Sequence, residues 1–284
     1  MRCKGTKKSG IILLFSVFIQ TFVQISVRMI SKNRIKYIRS LELKKYRKSE
    51  GVFVAEGPKL VGDLLKTFQC QYIAATSEWF EQNASLLSHD KGFMCDEVTE
   101  DELKRASFQE TPQQVLAIFR QPTWTIDVNR ASKNNLCLML DDVQNPGNLG
   151  TIVRLADWFG IEHIYCSHGS ADIYNPKTVQ ATMGAIARVQ VHYVDLPRLL
   201  STLDSDIPVY GTSLHGDNLY QKNLPNNGII IMGNEGKGVS SAVEAFVSER
   251  LYIPNYPTNR ETSESLNVAI ATAIICAEFR RKQF

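Results

Sequence analysis

The sequence predicts an α/β fold: a C-terminal parallel-sheet domain over residues 136–284, preceded by a small α/β domain. Three observations carry this prediction. From Gly51 onward, short apolar runs alternate with amphipathic segments, the rhythm of strands and helices packed in layers. The runs 136–140 and 228–232 are apolar throughout, as strands are when helices cover both faces of a parallel sheet. Three segments that stand out for their polar and charged residues each lie at the C-terminal end of a predicted strand, where open α/β sheets bind their ligands.

The 284 residues are 44% hydrophobic and 21% charged. That balance excludes a disordered or collagen-like chain, and the length suits one large or two modest domains. No period of 20–50 residues repeats, which argues against solenoids and propellers. The six cysteines (Cys3, Cys70, Cys95, Cys137, Cys166, Cys276) form no CxxC pair, and the five histidines form no HxxxH pair. Neither a structural metal site nor a disulfide framework is therefore expected. The cysteines read as core residues in a reducing compartment.

Charge is segregated along the chain. Residues 31–50 hold eight basic side chains (Lys32, Arg34, Lys36, Arg39, Lys44, Lys45, Arg47, Lys48) against Glu42 and Glu50. Residues 1–30 add five basic residues and no acidic one, leaving 19 basic and 27 acidic residues for 51–284. A basic arm with Tyr37 and Tyr46 interleaved can neutralise phosphates and stack on bases, or can be a solvated helix face. Residues 1–30 form an apolar and basic N-terminal extension with three readings: translation that begins at Met29, a membrane anchor, or a signal peptide without a small-residue cleavage site.

The elements follow in order. Residues 31–48 carry Ile35, Ile38, Leu41 and Leu43 at a loose helical period. Val52–Ala55 reads as a strand, and Gly57-Pro58 opens a helix with Pro in its first turn. Strands at 72–75 and 115–119, and a weak one at 91–95, complete a small α/β layer. Ser77 is expected to cap one helix, and Thr99 with Glu102 to form a capping box for another. Residues 121–135 read as a linker, with Pro122 and no sustained period. Beyond it, strands are expected at 136–140, 162–166, 188–194, 207–212, 228–232 and 250–253. Helices are expected at 148–159, 175–182, 196–203, 239–247 and 265–281.

Three segments carry chemistry. In the first, 141–154, Pro146-Gly147 turns the chain, Asn148 can cap the following helix, and Arg154 sits six residues later. In the second, 229–240, three glycines surround Glu235 after a buried strand. They allow close backbone approach to a ligand, yet the pattern is not a phosphate loop and Glu235 would repel phosphate. A Rossmann-type domain would instead place its glycine loop after the first strand. In the third, a polar loop after Ile253-Pro254 leads to Ser265, Leu266 and Asn267 at the start of an apolar helix, where buried Ser265 and Asn267 need partners and Ser265 alone could serve as the N-cap.

Together these segments resemble the SpoU/TrmH family of RNA 2′-O-ribose methyltransferases in the SPOUT superfamily. The likeness rests on the NxGxxxR pattern from Asn148 to Arg154, GxExxG from Gly233 to Gly238, and Ile253-Pro254 followed by Ser265-Leu266-Asn267. It implies a SPOUT-type knotted sheet over 136–284, with residues 31–120, opened by Phe53-Val54-Ala55-Glu56-Gly57, as an RNA substrate-binding domain. It also implies S-adenosylmethionine as cofactor, a homodimer and a ribosomal or transfer RNA substrate. Apart from the resemblance, no metal and no membrane partner are expected, and the setting is expected to be cytoplasmic, with a membrane anchor in residues 1–30 as the alternative. Thr212, Ser213, Gly233, Ile253 and Leu266 would contact the cofactor. Arg154 would be the catalytic arginine, with Asn148, Glu235, Ser265 and Asn267 around it, and the basic arm would hold RNA. The loop between Ile253 and Ser265 is longer than the family pattern, adding Tyr256 to Glu261.

Methyl transfer from a sulfonium needs positioning and deprotonation of the accepting hydroxyl and no metal. Arginine is protonated at any physiological pH. Arg154 would therefore either act as a base whose proton is drawn off by a phosphate or Glu235, or clamp a phosphate beside the hydroxyl. The alternative to an enzyme is a non-catalytic RNA-binding protein, which would need the basic arm but none of Asn148, Glu235 and Asn267.

Overall fold

The computed structural model describes residues 25–26, 30–87, 92–257, 260, 263 and 265–281. The chain divides into two compact units, Met1–Pro122 and Thr123–Phe284. Apart from residues 25–26 and Ile30, the N-terminal extension lies outside the described residues, and with it the question of start, anchor or signal. Among the described residues no helix is long and apolar enough to cross a membrane.

The first unit is built on a five-stranded sheet. Strands β1 (Ile25–Ser26), β2 (Val52–Glu56), β3 (Cys70–Ala75), β4 (Met94–Glu97) and β5 (Val115–Arg120) stand in the order β1-β4-β3-β5-β2. β5 is antiparallel to both neighbours, whereas β4 is parallel to β3 and β1. β1 is not expected from the sequence: its two residues pair with Cys95 and Asp96. Helices α1 (Lys32–Ser40) and α2 (Lys44–Glu50) precede β2. Ile38 and Leu41 are buried with Val54, Tyr72, Leu103 and Ile118 in one core cluster. Helix α3 (Pro58–Leu64) starts on Pro58 as the sequence predicts, while α4 (Ser77–Gln82) is capped by Thr76 rather than Ser77. A four-residue helix α5 (Ala84–Leu87) follows, and α6 (Glu100–Ala106) begins in the predicted capping box of Thr99 and Glu102.

The second unit opens with helix α7 (Val128–Asn134), within the stretch that the sequence presents as a linker. Asp127 caps it, and Val128 and Ala131 are buried in the core of this unit. Seven residues carry too little periodicity to stand out in the sequence; the helix exists because the sheet offers a surface to cover. That sheet holds β6 (Leu136–Leu140), β7 (His163–Ser167), β8 (Gln190–Val194), β9 (Val209–Asn218), β10 (Gly228–Met232) and β11 (Glu249–Tyr252), ordered β11-β9-β10-β6-β7-β8 and parallel throughout. β6 and β10 are central and wholly buried. The chain runs outward from β6 through β7 to β8, then crosses to β9 and β10 on the other side. This switch point lies where β6 and β10 end, the ligand-binding crevice of open α/β sheets.

β9 departs from expectation. It continues to Asn218, but its pairing with β11 jumps from Gly211 opposite Arg250 to Asp217 opposite Leu251. Residues 212–216 therefore leave the ladder and return to it, and Thr212 and Ser213 belong to this excursion rather than to a loop after the strand. The helices are α8 (Pro146–Trp158), α9 (Pro176–Ala181), α10 (Leu196–Leu200), α11 (Ser241–Glu244) and α12 (Val268–Arg280). α8 and α12 run parallel, pinned at both ends: Asn267 bonds to Asn148 at their N-termini, and Arg280 donates to the Phe159 carbonyl at their C-termini.

Candidate functional site

Two loops at the switch point are stitched together by side chains. After β6, the buried Asp141 carboxylate accepts from the Ser240 amide at 2.8 Å. After β10, the Asn234 side chain donates to the Asp142 carbonyl at 2.8 Å and accepts from the amides of Gly236 and Lys237 at 2.9 and 3.1 Å. Asn234 thus folds the glycine loop over itself, closing the two hydrogen bonds between Asn234 and Gly238. Only glycine fits at 233, because a Cβ there would collide with the Gly238 carbonyl carbon. Neither Asp141 nor Asn234 stands out in the sequence; their roles depend on which loops the sheet order brings side by side.

α8 begins differently from expectation. Asn145 is its cap, accepting from the amides of Gly147 and Asn148 at 2.8 and 3.1 Å, with Pro146 in the first turn. The Asn-Pro pair carries that signal in the sequence. Asn148 is thereby released from capping and placed one turn inside, half-buried. Its side chain donates to Glu235 Oε1 at 2.5 Å and accepts from Asn267 Nδ2 at 3.1 Å. Asn267, not Ser265, caps α12, taking the amides of Ala269 and Ile270 on its oxygen. Ser265 and Asn267 are exposed, where the sequence predicts them buried.

A cavity of about 590 Å³ lies against this network. Thr212, Ser213, Gly233, Ile253 and Leu266, predicted as cofactor contacts, all line it, as do Glu235 and Ser265. Met232, Leu251, Val268 and Ile275 supply its apolar wall. A half-apolar cleft of this size, with the carboxylates of Glu235 and Glu244 in its lining, suits a nucleoside-sized ligand. The Thr212 hydroxyl is turned inward to the Ile231 carbonyl at 3.2 Å, so it tethers the excursion of β9. Part of the long loop after Ile253 lies outside the described residues.

Arg154 stands apart. It is exposed on α8, outside the cavity lining, and forms no hydrogen bond or ion pair among the described residues. Glu235 is bonded to Asn148 rather than to Arg154.

In the first unit the eight basic candidates separate by type. The Arg47 guanidinium, 2% exposed, donates to the carbonyls of Leu41 and Glu42 at 2.8 and 2.6 Å. Burial removes it from any RNA surface, which corrects the prediction for this residue. Arg34 lies over the Tyr72 ring at 4.7 Å, and Arg39 lies over Phe108 at 5.2 Å while donating to the Ser107 carbonyl. Lys32, Lys36, Lys44, Lys45 and Lys48 are exposed, with Tyr46 and Leu43 exposed among them. Nearby, the buried Glu56 carboxyl accepts from the Ser107 hydroxyl and the Phe108 amide, and burial raises its pKa.

Comparison with known proteins agrees with this geometry. The SpoU rRNA Methylase family model matches residues 135–277, and the MRM3-like substrate binding domain matches residues 32–117. The 23S rRNA (guanosine(2553)-2′-O)-methyltransferase RlmP of Bacillus subtilis is 32% identical, over 87% of this chain and 96% of its own. A solved structure from Porphyromonas gingivalis, assigned to the TrmH family of RNA methyltransferases, is 43% identical with a TM-score of 0.80, covering 90% of this chain and 100% of that one. An AdoMet-bound rRNA methyltransferase from Sinorhizobium meliloti superposes at 28% identity and a TM-score of 0.78, covering 92% of this chain and 99% of that one. Sequence motifs, sheet order and these relatives converge: the chain belongs to the SpoU family of rRNA methylases.

Proposed function

We propose that this protein transfers a methyl group from S-adenosylmethionine to a ribose 2′-hydroxyl of ribosomal RNA. The observation that carries the reading is the chain Asn267–Asn148–Glu235 at the rim of a cavity lined by Thr212, Ser213, Gly233, Ile253 and Leu266. The choice of ribosomal over transfer RNA follows the Bacillus subtilis relative, whose activity is on 23S rRNA. Bound S-adenosylmethionine would supply a methyl group on a sulfonium, already a good leaving group. The protein's share is then to orient and deprotonate the hydroxyl. Glu235 offers a carboxylate at the cavity. Arg154, exposed and without an ion-pair partner among the described residues, would hold an RNA phosphate and so fix the ribose. Calorimetric titration with S-adenosylhomocysteine tests the cofactor assignment: micromolar binding, about −8 kcal/mol, is expected. No heat at millimolar ligand would sink it.

The finer assignments belong to the same reading. The five exposed lysines of α1 and α2 would neutralise RNA phosphates, a sequence-independent contact. Trp158 on α8 and Ile270 on α12 are 84% and 53% exposed on two packed parallel helices. Exposed apolar side chains of this kind fit a contact with a second copy of the chain, giving a homodimer. The strand order supports a knot: the chain leaves β11 at the sheet edge, then returns to lay α12 along α8. The five described cysteines are buried, which fits a reducing, cytoplasmic setting.

A further inference from the structure

Asn267, Asn148 and Glu235 are joined by hydrogen bonds that can run in only one direction. The amides of Ala269 and Ile270 are donors, so they fix the Asn267 carboxamide with its oxygen toward the helix, at 3.0 and 3.3 Å. Its nitrogen must then face outward, where it donates to Asn148 Oδ1 at 3.1 Å. The Asn148 carboxamide is fixed in turn, presenting its nitrogen to Glu235 Oε1 at 2.5 Å. The Glu235 oxygen is the acceptor that ends the run. The second Glu235 oxygen accepts from no described residue.

We infer that Asn267 is a positioning residue whose helix cap sets the polarity of this relay, holding Glu235 as an acceptor at the cavity rim with one oxygen left for the substrate hydroxyl. The inference rests on the methyl-transfer reading above, but the polarity is a property of these three side chains alone. A cap that is merely structural and a cap that directs the relay differ in one respect: only the second needs a donor on the far side of the capping group.

Three substitutions separate the two roles. Asp and Ser both cap helices well, whereas Ala does not. Asn267→Ser keeps an acceptor for the helix amides and removes the reach to Asn148. Asn267→Asp keeps the cap but turns a carboxylate oxygen toward Asn148 Oδ1, which favours a reversed Asn148 amide and displaces Glu235. The relay predicts that Asn267→Asp melts with the unaltered protein, yet loses about 100-fold in single-turnover methyl transfer at saturating substrate, the scale of a small misplacement at a reacting centre. Asn267→Ser should lose less than Asn267→Asp, and Asn267→Ala should lose stability as well. A second readout needs no activity: the Asn148 side-chain amide signals, followed by 15N NMR, should move on Glu235→Gln in the otherwise unaltered protein and not when Asn267→Asp is already present. Wild-type turnover by Asn267→Asp, or an Asn148 amide that still responds to Glu235→Gln in that variant, would overturn the relay. Absence of S-adenosylhomocysteine binding by the unaltered protein would remove the functional reading alone, since the amide signals still report the direction of the bonds.

Discussion

Arg154 and Arg47 are both arginines on helices of this chain, and their surroundings give them opposite duties. Arg154 is exposed and unpaired among the described residues, so Arg154→Ala should cost under about 1 kcal/mol of stability. If it orients the ribose, the same change should cut single-turnover methyl transfer by roughly 10²–10⁴-fold, with cofactor affinity kept. Arg154→Lys should rescue poorly, because a point charge does not replace a planar fork of donors. A folded Arg154→Ala protein with undiminished turnover would move the catalytic assignment to Glu235. Arg47 instead holds two carbonyls from within the core of the first unit. Its loss should destabilise that unit by about 2 kcal/mol, and not through RNA. Replacing Lys32, Lys36, Lys44, Lys45 and Lys48 by Ala should do the reverse. The melt should be unchanged and RNA binding weaker. The dependence of log K on log salt should become shallower by roughly 0.7–0.9 for each phosphate no longer neutralised. An unchanged salt slope would leave these lysines as a solvated face.

Among the elements, the edge of the second sheet carries a pH dependence. His163 and His192, on adjacent strands β7 and β8, meet at 3.3 Å between ring nitrogens, and Tyr165 stacks on His192 at 5.0 Å. Burial, helped by the neighbouring His163, pushes the His192 pKa down to about 4. The unfolded chain therefore takes up a proton that the folded one refuses. The contribution is complete above the ordinary histidine value, about 6.5, and is lost as pH falls toward 4. Melting temperature should fall through this window, and His192→Phe should flatten the fall; identical profiles for both proteins would contradict it. The elements that bear the site are unequally legible in the sequence. β6 and β10 are plain because burial on both faces demands an unbroken apolar run. The start of α8 is harder to place, because Asn145 and Asn148 both suit a cap and only the Asn-Pro pair separates them. The excursion of β9 at 212–216 and the latch of Asn234 on Asp142 leave no local trace, since both exist through pairing with distant loops. The basic arm is visible as charge, but the sequence does not say which side chains turn inward.

For the whole molecule, the exposed Trp158 on α8 and Ile270 on α12 predict association. Sedimentation equilibrium should give twice the chain mass, and Trp158→Glu should give a monomer, because a buried charge with no partner opposes the contact. A monomeric unaltered protein at micromolar concentration would contradict the dimer. Methyl transfer to a ribose hydroxyl of ribosomal RNA stands or falls on where a labelled methyl group arrives. The purified protein is incubated with methyl-labelled S-adenosylmethionine and ribosomal RNA from cells lacking the gene, and the RNA is then hydrolysed in alkali. A methylated 2′-oxygen does not attack the adjoining phosphate, so the label should appear in an alkali-resistant dinucleotide. Label in mononucleotides, which marks a methylated base, or no label at all, would contradict ribose methylation by this protein.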